Sequence, residues 1–355
     1  MRVSAYYKLG RSQTTLDFVD VDISGDTRVF ISPTALLHLP SAWGNECVSL
    51  IQNFFGTVLG HIRAGRQGDA IALLSALREP NETHLGLSAD EAHGRALGSK
   101  SAREVWTALS HSEAAKSGLL EDLEDTVLMI YGISVDIVSD MTTDIIREPL
   151  IRYTQEVCQQ YRIPLQDGVD SGPLWDPSRK TWHSRFEKLP VTPAGRLMLV
   201  PKAIVRRHLL YDAHEYYRHY LLEHLRSREL DANSSLVELL KNKKRRVTIK
   251  SLKEKYGEGK AVIVRETLRH PEILQKYRAA KKRNLYLPLT HEDLARAENR
   301  QAPNWDKLLA NVVRLRPGDK DAPKYEKAIE GLLTALFYPN LTNPKFQHEI
   351  HEGRK

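Results

Sequence analysis

The chain has 355 residues, of which 41% are hydrophobic and 27% charged, with a mean hydropathy of −0.43 and a net charge of +7. This is the composition of an ordinary folded protein with room for two or three cored domains, and it excludes a disordered one. No apolar run approaches the roughly 20 residues that cross a bilayer, and Met1–Lys8 carries no apolar signal core, so the reading is a cytoplasmic protein with no membrane partner. Cys47 and Cys158 both stand in apolar helical patterns. They read as reduced core thiols, not as a disulfide framework or a thiolate zinc site.

From the N-terminus, Leu16–Ile23 alternates, Ser24-Gly25-Asp26 turns, and Thr27–Pro33 resumes, which predicts a β-hairpin. Asp17, Asp20, Asp22 and Asp26 crowd that turn, but the calcium-loop pattern is absent. Acidic residues on the wet face of an edge strand account for them. From Glu46 the period changes to about 3.6, with Val48, Leu50, Ile51, Phe54, Phe55, Val58, Leu59 and Ile62 on one face, and a second helix runs over 70–77 to Pro80. Residues 81–100 read as a loop with no nucleotide role.

Helices are predicted over 101–112, 117–131, 134–147 and 149–161, with Ser134 as an N-cap and Pro149 in a first turn. Glu121, Asp122, Glu124 and Asp125 crowd one turn, while Asp136, Asp140 and Asp144 repeat on one face. Such a stripe could hold a metal or a basic partner; a solvated face is the expectation. Prolines and glycines over 162–195 break any regular pattern, and with Trp175 and Trp182 needing burial the stretch reads as an ordered crossover between domains. Leu197–Val200 is then a buried strand ended by Pro201.

A long helix is expected from Ala203 to about Leu230, carrying His208, His214, His219 and His224. His214 and His219 stand five apart, about 140° off the register in which a zinc-protease signature places two histidines four apart. They read as surface residues beside Tyr211, Tyr216, Tyr217 and Tyr220.

Charge then becomes concentrated. From Lys241 to Arg283 there are sixteen Lys or Arg against four Glu, an excess of +12, so the remainder of the chain carries −5. Lys241-Asn242-Lys243-Lys244-Arg245-Arg246 leads into a short helix, a Gly257–Gly259 turn, a second helix from Lys260 and a third opened by Pro271. The arrangement is compatible with a helix-turn-helix-like module. Lys241, Lys243, Lys244, Arg245, Arg246, Lys250, Lys253, Lys281, Lys282 and Arg283 are the candidate nucleic-acid-binding residues, with Tyr256, Tyr277 and Tyr286 available for stacking. An exposed cationic surface pairing with the chain's own acids is the competing account.

Near the C-terminus, Tyr325–Phe337 is an amphipathic helix, Pro339-Asn340 a turn, and Phe346–Lys355 a strand with Glu349. This run resembles the opening of the restriction-endonuclease-like PD-(D/E)XK fold, and it looks like bacterial proteins of the phage-defence type that place such a nuclease after a long helical region. The resemblance implies that Glu326 takes the first-helix catalytic position. It also implies that an Asp and a Glu-x-Lys pair lie beyond Lys355, and that Mg²⁺ is the cofactor once that core is complete.

The expected fold is α+β and mainly helical: an N-terminal domain of hairpin plus helices over 1–190, a basic helical domain over 191–315, and an incomplete nuclease-like segment over 316–355. The expected function is the DNA-binding and assembly region of a metal-dependent nuclease in bacterial defence, inactive as it stands. Its partners would be double-stranded DNA and either a second copy or another defence protein. The alternative is a non-enzymatic protein-interaction module.

Overall fold

Apolar residues at helical spacing build helix α1 (Ala42–Arg63), capped by Ser41, whose hydroxyl accepts from the Gly44 amide at 2.9 Å. Its buried face carries Leu50, Ile51, Phe54, Phe55, Val58 and Leu59, each such side chain contributing about 1.5–3 kcal/mol on leaving water. Gln67–Ser75, Val135–Ile145 and Arg147–Tyr161 pack around it. Ser134 caps the second of these as expected, and both cysteines are buried. The computed structural model describes residues 1–86, 99–208, 210–283, 287–316, 318–342 and 344. The fold is α+β, mostly helical, with small antiparallel ladders, and no helix among the described residues is long and apolar enough to cross a membrane.

The predicted N-terminal hairpin does not form. Its halves are extended, but each pairs with distant chain: Phe30–Ile31 with Val205–Arg206, Phe18 with Pro201, and Arg2 with Asp22. Asp17 and Asp20 are buried instead of wet. Asp20 accepts from the Ser4 amide at 2.8 Å and its hydroxyl at 2.6 Å, and Asp17 accepts from the Tyr153 hydroxyl at 3.2 Å. Alternation marks a half-buried extended segment without saying what it pairs with.

Residues 162–195 are more regular than their prolines and glycines suggest. Gln166–Asp170 pairs with Phe186–Leu189, Leu174–Asp176 with Thr181–His183, and Val191–Thr192 with Gly195–Arg196, all antiparallel. Trp175 lies opposite Trp182 across the inner ladder, and both rings meet Phe54 of α1. The ribbon is thereby fastened to the helical core. Leu197–Val200 is buried as expected but forms no regular strand, being bonded instead through Met198 to Glu82 and through Val200 to Val19.

Several of the acidic groups also depart from the solvated expectation, while Glu121 and Asp136 stay exposed. Asp144 is fully buried and ion-paired with Arg147, which also meets Glu82. Glu124 is buried under Ser32 and Thr34. The Asp125 carboxylate accepts from the Glu121 and Asp122 amides, both at 2.9 Å. With that local capping the helix predicted over 117–131 is reduced to Asp125–Met129, and a separate short helix, Glu113–Ser117, precedes it.

The helix expected from Ala203 starts ten residues later, because Val205 and Arg206 are taken by the ladder to Phe30–Ile31 and Asp212 supplies the cap. Ala213–Tyr216, a π-helical stretch Tyr217–Leu221 and Leu222–Asp231 run on as one helix, α2. Three helices follow, as the sequence predicts: α3 (Ile249–Tyr256), α4 (Lys260–Arg269) and α5 (Pro271–Arg283). The apolar core runs unbroken from Val3 to Leu294, across the boundary expected at 190.

The last described helix, α6 (Ala322–Phe337), matches the predicted one and lies on the 3₁₀ turn Gln13–Thr15. Arg11 pairs with Glu330, and Lys327 Nζ donates to the Leu9 carbonyl at 2.7 Å. The strand expected over 346–355 lies outside the described residues.

Candidate nucleic-acid interface

Residues 241–246 do not run straight into a helix. Glu238–Leu239 and Arg245–Arg246 form an antiparallel hairpin, with Arg245 opposite Leu239 and Arg246 opposite Glu238. The tip is closed by Leu240 N to Lys244 O at 2.9 Å and by the Asn242 side chain accepting from the Lys244 amide at 3.1 Å, with Lys243 at φ 62°. All six side chains from Lys241 to Arg246 are exposed. A tight turn fans them outward because adjacent side chains on the loop cannot share a face.

Buried Val247 anchors the hairpin, and Thr248 then caps α3, its hydroxyl accepting from the Ser251 amide at 3.1 Å. Gly257 and Gly259, at φ 86° and 91°, turn the chain into α4. Tyrosines fix α2 against this module: Tyr217 donates to the Gly257 carbonyl at 2.6 Å, and the Tyr216 hydroxyl meets that of Thr267 at 2.9 Å. Tyr216 and Tyr277 are fully buried, and their hydroxyl pKa values are pushed up mainly by that burial.

Between α2 and the α3–α4 turn lies a cleft of about 470 Å³, lined by His214, Tyr217, Arg218, Lys253, Lys260 and Ile263 among others. The start of α4 opens into it at Gly259 and Lys260, so the partial positive charge of a helix N-terminus adds to the side-chain cations. Lys260 donates to the Ile130 carbonyl at 2.6 Å, and burial lowers its pKa. Lys253 meets Glu258 at 2.8 Å at the edge of the cleft. The hairpin feeds directly into α3, so its basic tip and this cleft belong to one module.

The structure divides the predicted residues into unlike groups. Lys241, Lys243 and Lys244 have no ion-pair partner among the described residues, and Arg245 donates to the Leu230 carbonyl at 3.2 Å. Lys250 is exposed and only loosely paired with Glu254 at 3.9 Å. Arg246 meets Glu238 at 2.9 Å. Lys281 is half-buried against Glu215, over the Tyr277 ring. The side chains of Lys282 and Arg283, and the whole of Tyr286, lie outside the described residues. Glu326 sits half-exposed on α6, a helix that packs against residues 9–15.

Part of the +12 excess is answered by carboxylates from outside the segment. Lys255 meets Glu229 at 2.5 Å, and hydrogen bonds from Lys255, Ser234 and Tyr256 lower Glu229 to about 2. Arg278 is buried between Asp125 and Glu121. Sequence counting cannot separate such internal pairs from free cations, because partners at positions 121, 125, 215 and 229 are remote in the chain. His214, Arg218 and Lys260 were missed as candidates; the available signal was the four-residue spacing of His214 and Arg218 on one helical face.

A family model described as a domain of unknown function, DUF8370, matches residues 8–212. The match ends at the residue that caps α2, so the hairpin and the cleft lie beyond it. No curated protein and no solved structure matches the chain.

Proposed function

The chain belongs to the DUF8370 family, and we propose that the module following the family's segment binds nucleic acid, double-stranded DNA in the first instance. The observation that carries the reading is the hairpin tip with Lys241, Lys243 and Lys244 exposed and unpaired among the described residues, leading into the cleft where Arg218 is exposed. Exposed cations without internal partners are what phosphate neutralisation and counterion release require. A two-stranded ribbon is also narrow enough to enter a duplex major groove. Buried Arg278 and half-buried Lys281 are assigned to holding the module together.

The function proposed for these 355 residues is binding, because the exposed cations carry the reading. Among the described residues, the group of three His, Cys, Asp or Glu side chains close enough to share an ion is elsewhere and does not include Glu326.

Fluorescence anisotropy with a labelled duplex tests the proposal. Wild type is expected to bind, and R218A to bind about eightfold more weakly, since each phosphate contact is worth close to a tenfold factor near 0.1 M salt. Unaltered affinity in that variant overturns the cleft's role. Displacement of the duplex by polyglutamate at equal charge concentration would transfer the surface to an acidic protein partner.

A further inference from the structure

We propose that His224, His270 and Glu272 form a binding site for a divalent transition-metal ion of the zinc class. His224 lies in α2, and His270 and Glu272 straddle Pro271 at the junction of α4 and α5. One ligand atom from each lies within 4.8 Å of the other two. Glu272 Oε1 is 3.6 Å from His270 Nδ1 and 3.9 Å from His224 Nε2, and the two imidazole centroids are 4.7 Å apart. Ligand atoms bound tetrahedrally at about 2.0–2.1 Å stand roughly 3.3 Å from one another. Small rotations of two rings and one flexible carboxylate close that difference.

A second observation points to a ligand. His224 Nε2 is shut off from solvent and has no hydrogen-bond partner among the described residues, although it faces the other two side chains. A buried imidazole nitrogen without a partner is an exception in folded proteins, and a metal ion would satisfy it. Two imidazoles and one carboxylate suit Zn²⁺, Co²⁺ or Ni²⁺, and are a poor donor set for Mg²⁺ or Ca²⁺, which take oxygen ligands. The site is therefore separate in chemistry from the Mg²⁺ that the C-terminal resemblance implies, and it does not depend on the DNA-binding proposal.

Arg228 and Lys276 are the cations close to these groups. Arg228 is exposed and bonds His270 Nε2, so on metal binding through Nδ1 it turns outward and leaves Nε2 to carry the proton. Three protein ligands leave one position open for water or an anion. A bound ion would fasten α2 to the α4–α5 junction and so brace one wall of the cleft against the other.

The full chain, stripped with a chelator and dialysed, is titrated with ZnCl₂ in competition with a chromophoric chelator. One tightly bound equivalent is expected, together with a rise in Tm on adding Zn²⁺. H270A and E272Q are expected to weaken binding at least about tenfold and to abolish the Tm rise. H219A, on an exposed site of the same helix, is expected to leave both unchanged. Glu272 is half-exposed, so E272Q keeps the fold, which circular dichroism verifies. Sub-stoichiometric binding by wild type, or affinity in E272Q and H270A within about threefold of wild type, overturns the proposal.

Discussion

Replacing the hairpin-tip lysines as K241A/K243N/K244A should lower the salt dependence of duplex binding by an amount the structure sets in advance. All three side chains are exposed and have no ion-pair partner among the described residues, so their removal takes away charge without breaking a fold contact. Asn is chosen at position 243 because Lys243 sits at φ 62°, where Asn is tolerated better than Ala. The closing bond from Leu240 N to Lys244 O involves backbone only and survives. Each phosphate neutralised contributes ~0.9 to the slope of log K against log salt, so three fewer lower it by about 2.7, and affinity near 0.1 M salt falls on the order of 500-fold. Anisotropy titrations between about 50 and 200 mM NaCl read both quantities. R246A is the internal comparison, since Arg246 already meets Glu238, and it should change the slope by less than about one. A triple variant whose slope also changes by less than about one refutes the assignment of the tip to phosphate binding.

Three further outcomes follow from the packing. R278A removes the guanidinium that holds buried Asp125 and should cost about 3–5 kcal/mol in urea unfolding, so a loss under about 1.5 kcal/mol would show that Asp125 is satisfied by the Glu121 and Asp122 amides alone. Lys202 is fully buried, and desolvation lowers it to about 8 against the opposing pull of Asp17 and Glu330. The folded state therefore gives up this proton before the unfolded chain does. Stability relative to K202M should grow by about 3 kcal/mol as pH rises from about 8 to 10.5, and a pH-independent difference in chemical denaturation would exclude that buried titration. Gly257 holds φ 86°, ψ −171°, and an added Cβ would stand 3.2 Å from Val262 Cγ2. G257A should cost about 1–3 kcal/mol, read as a fall in denaturant midpoint, and a neutral result would mean that the turn into α4 relaxes freely.

Local patterns were legible wherever neighbours in sequence decide structure. The apolar stripe of α1, the cap at Ser134, the helix order α3–α4–α5 and the amphipathic α6 follow from spacing and from residues within one turn. The Lys241–Arg246 tip was legible as charge and not as a hairpin, since its partner Glu238–Leu239 carries little strand signal. The paired tryptophans were legible as buried groups, but their ladder was hidden by the prolines and glycines that form its turns.

By itself the sequence determined a mainly helical α+β chain, two core cysteines and one strongly basic segment, because composition and periodicity act over a few residues. Tertiary structure alone decided which acids are buried, since Arg147 joins nearby Asp144 to remote Glu82, and Asp125 finds Arg278 from far along the chain. It also decided which cations remain for a partner. A charge that meets a carboxylate inside the fold and one that faces water are identical in sequence; only three-dimensional proximity separates Lys281 on Glu215 from Lys243 at the open tip.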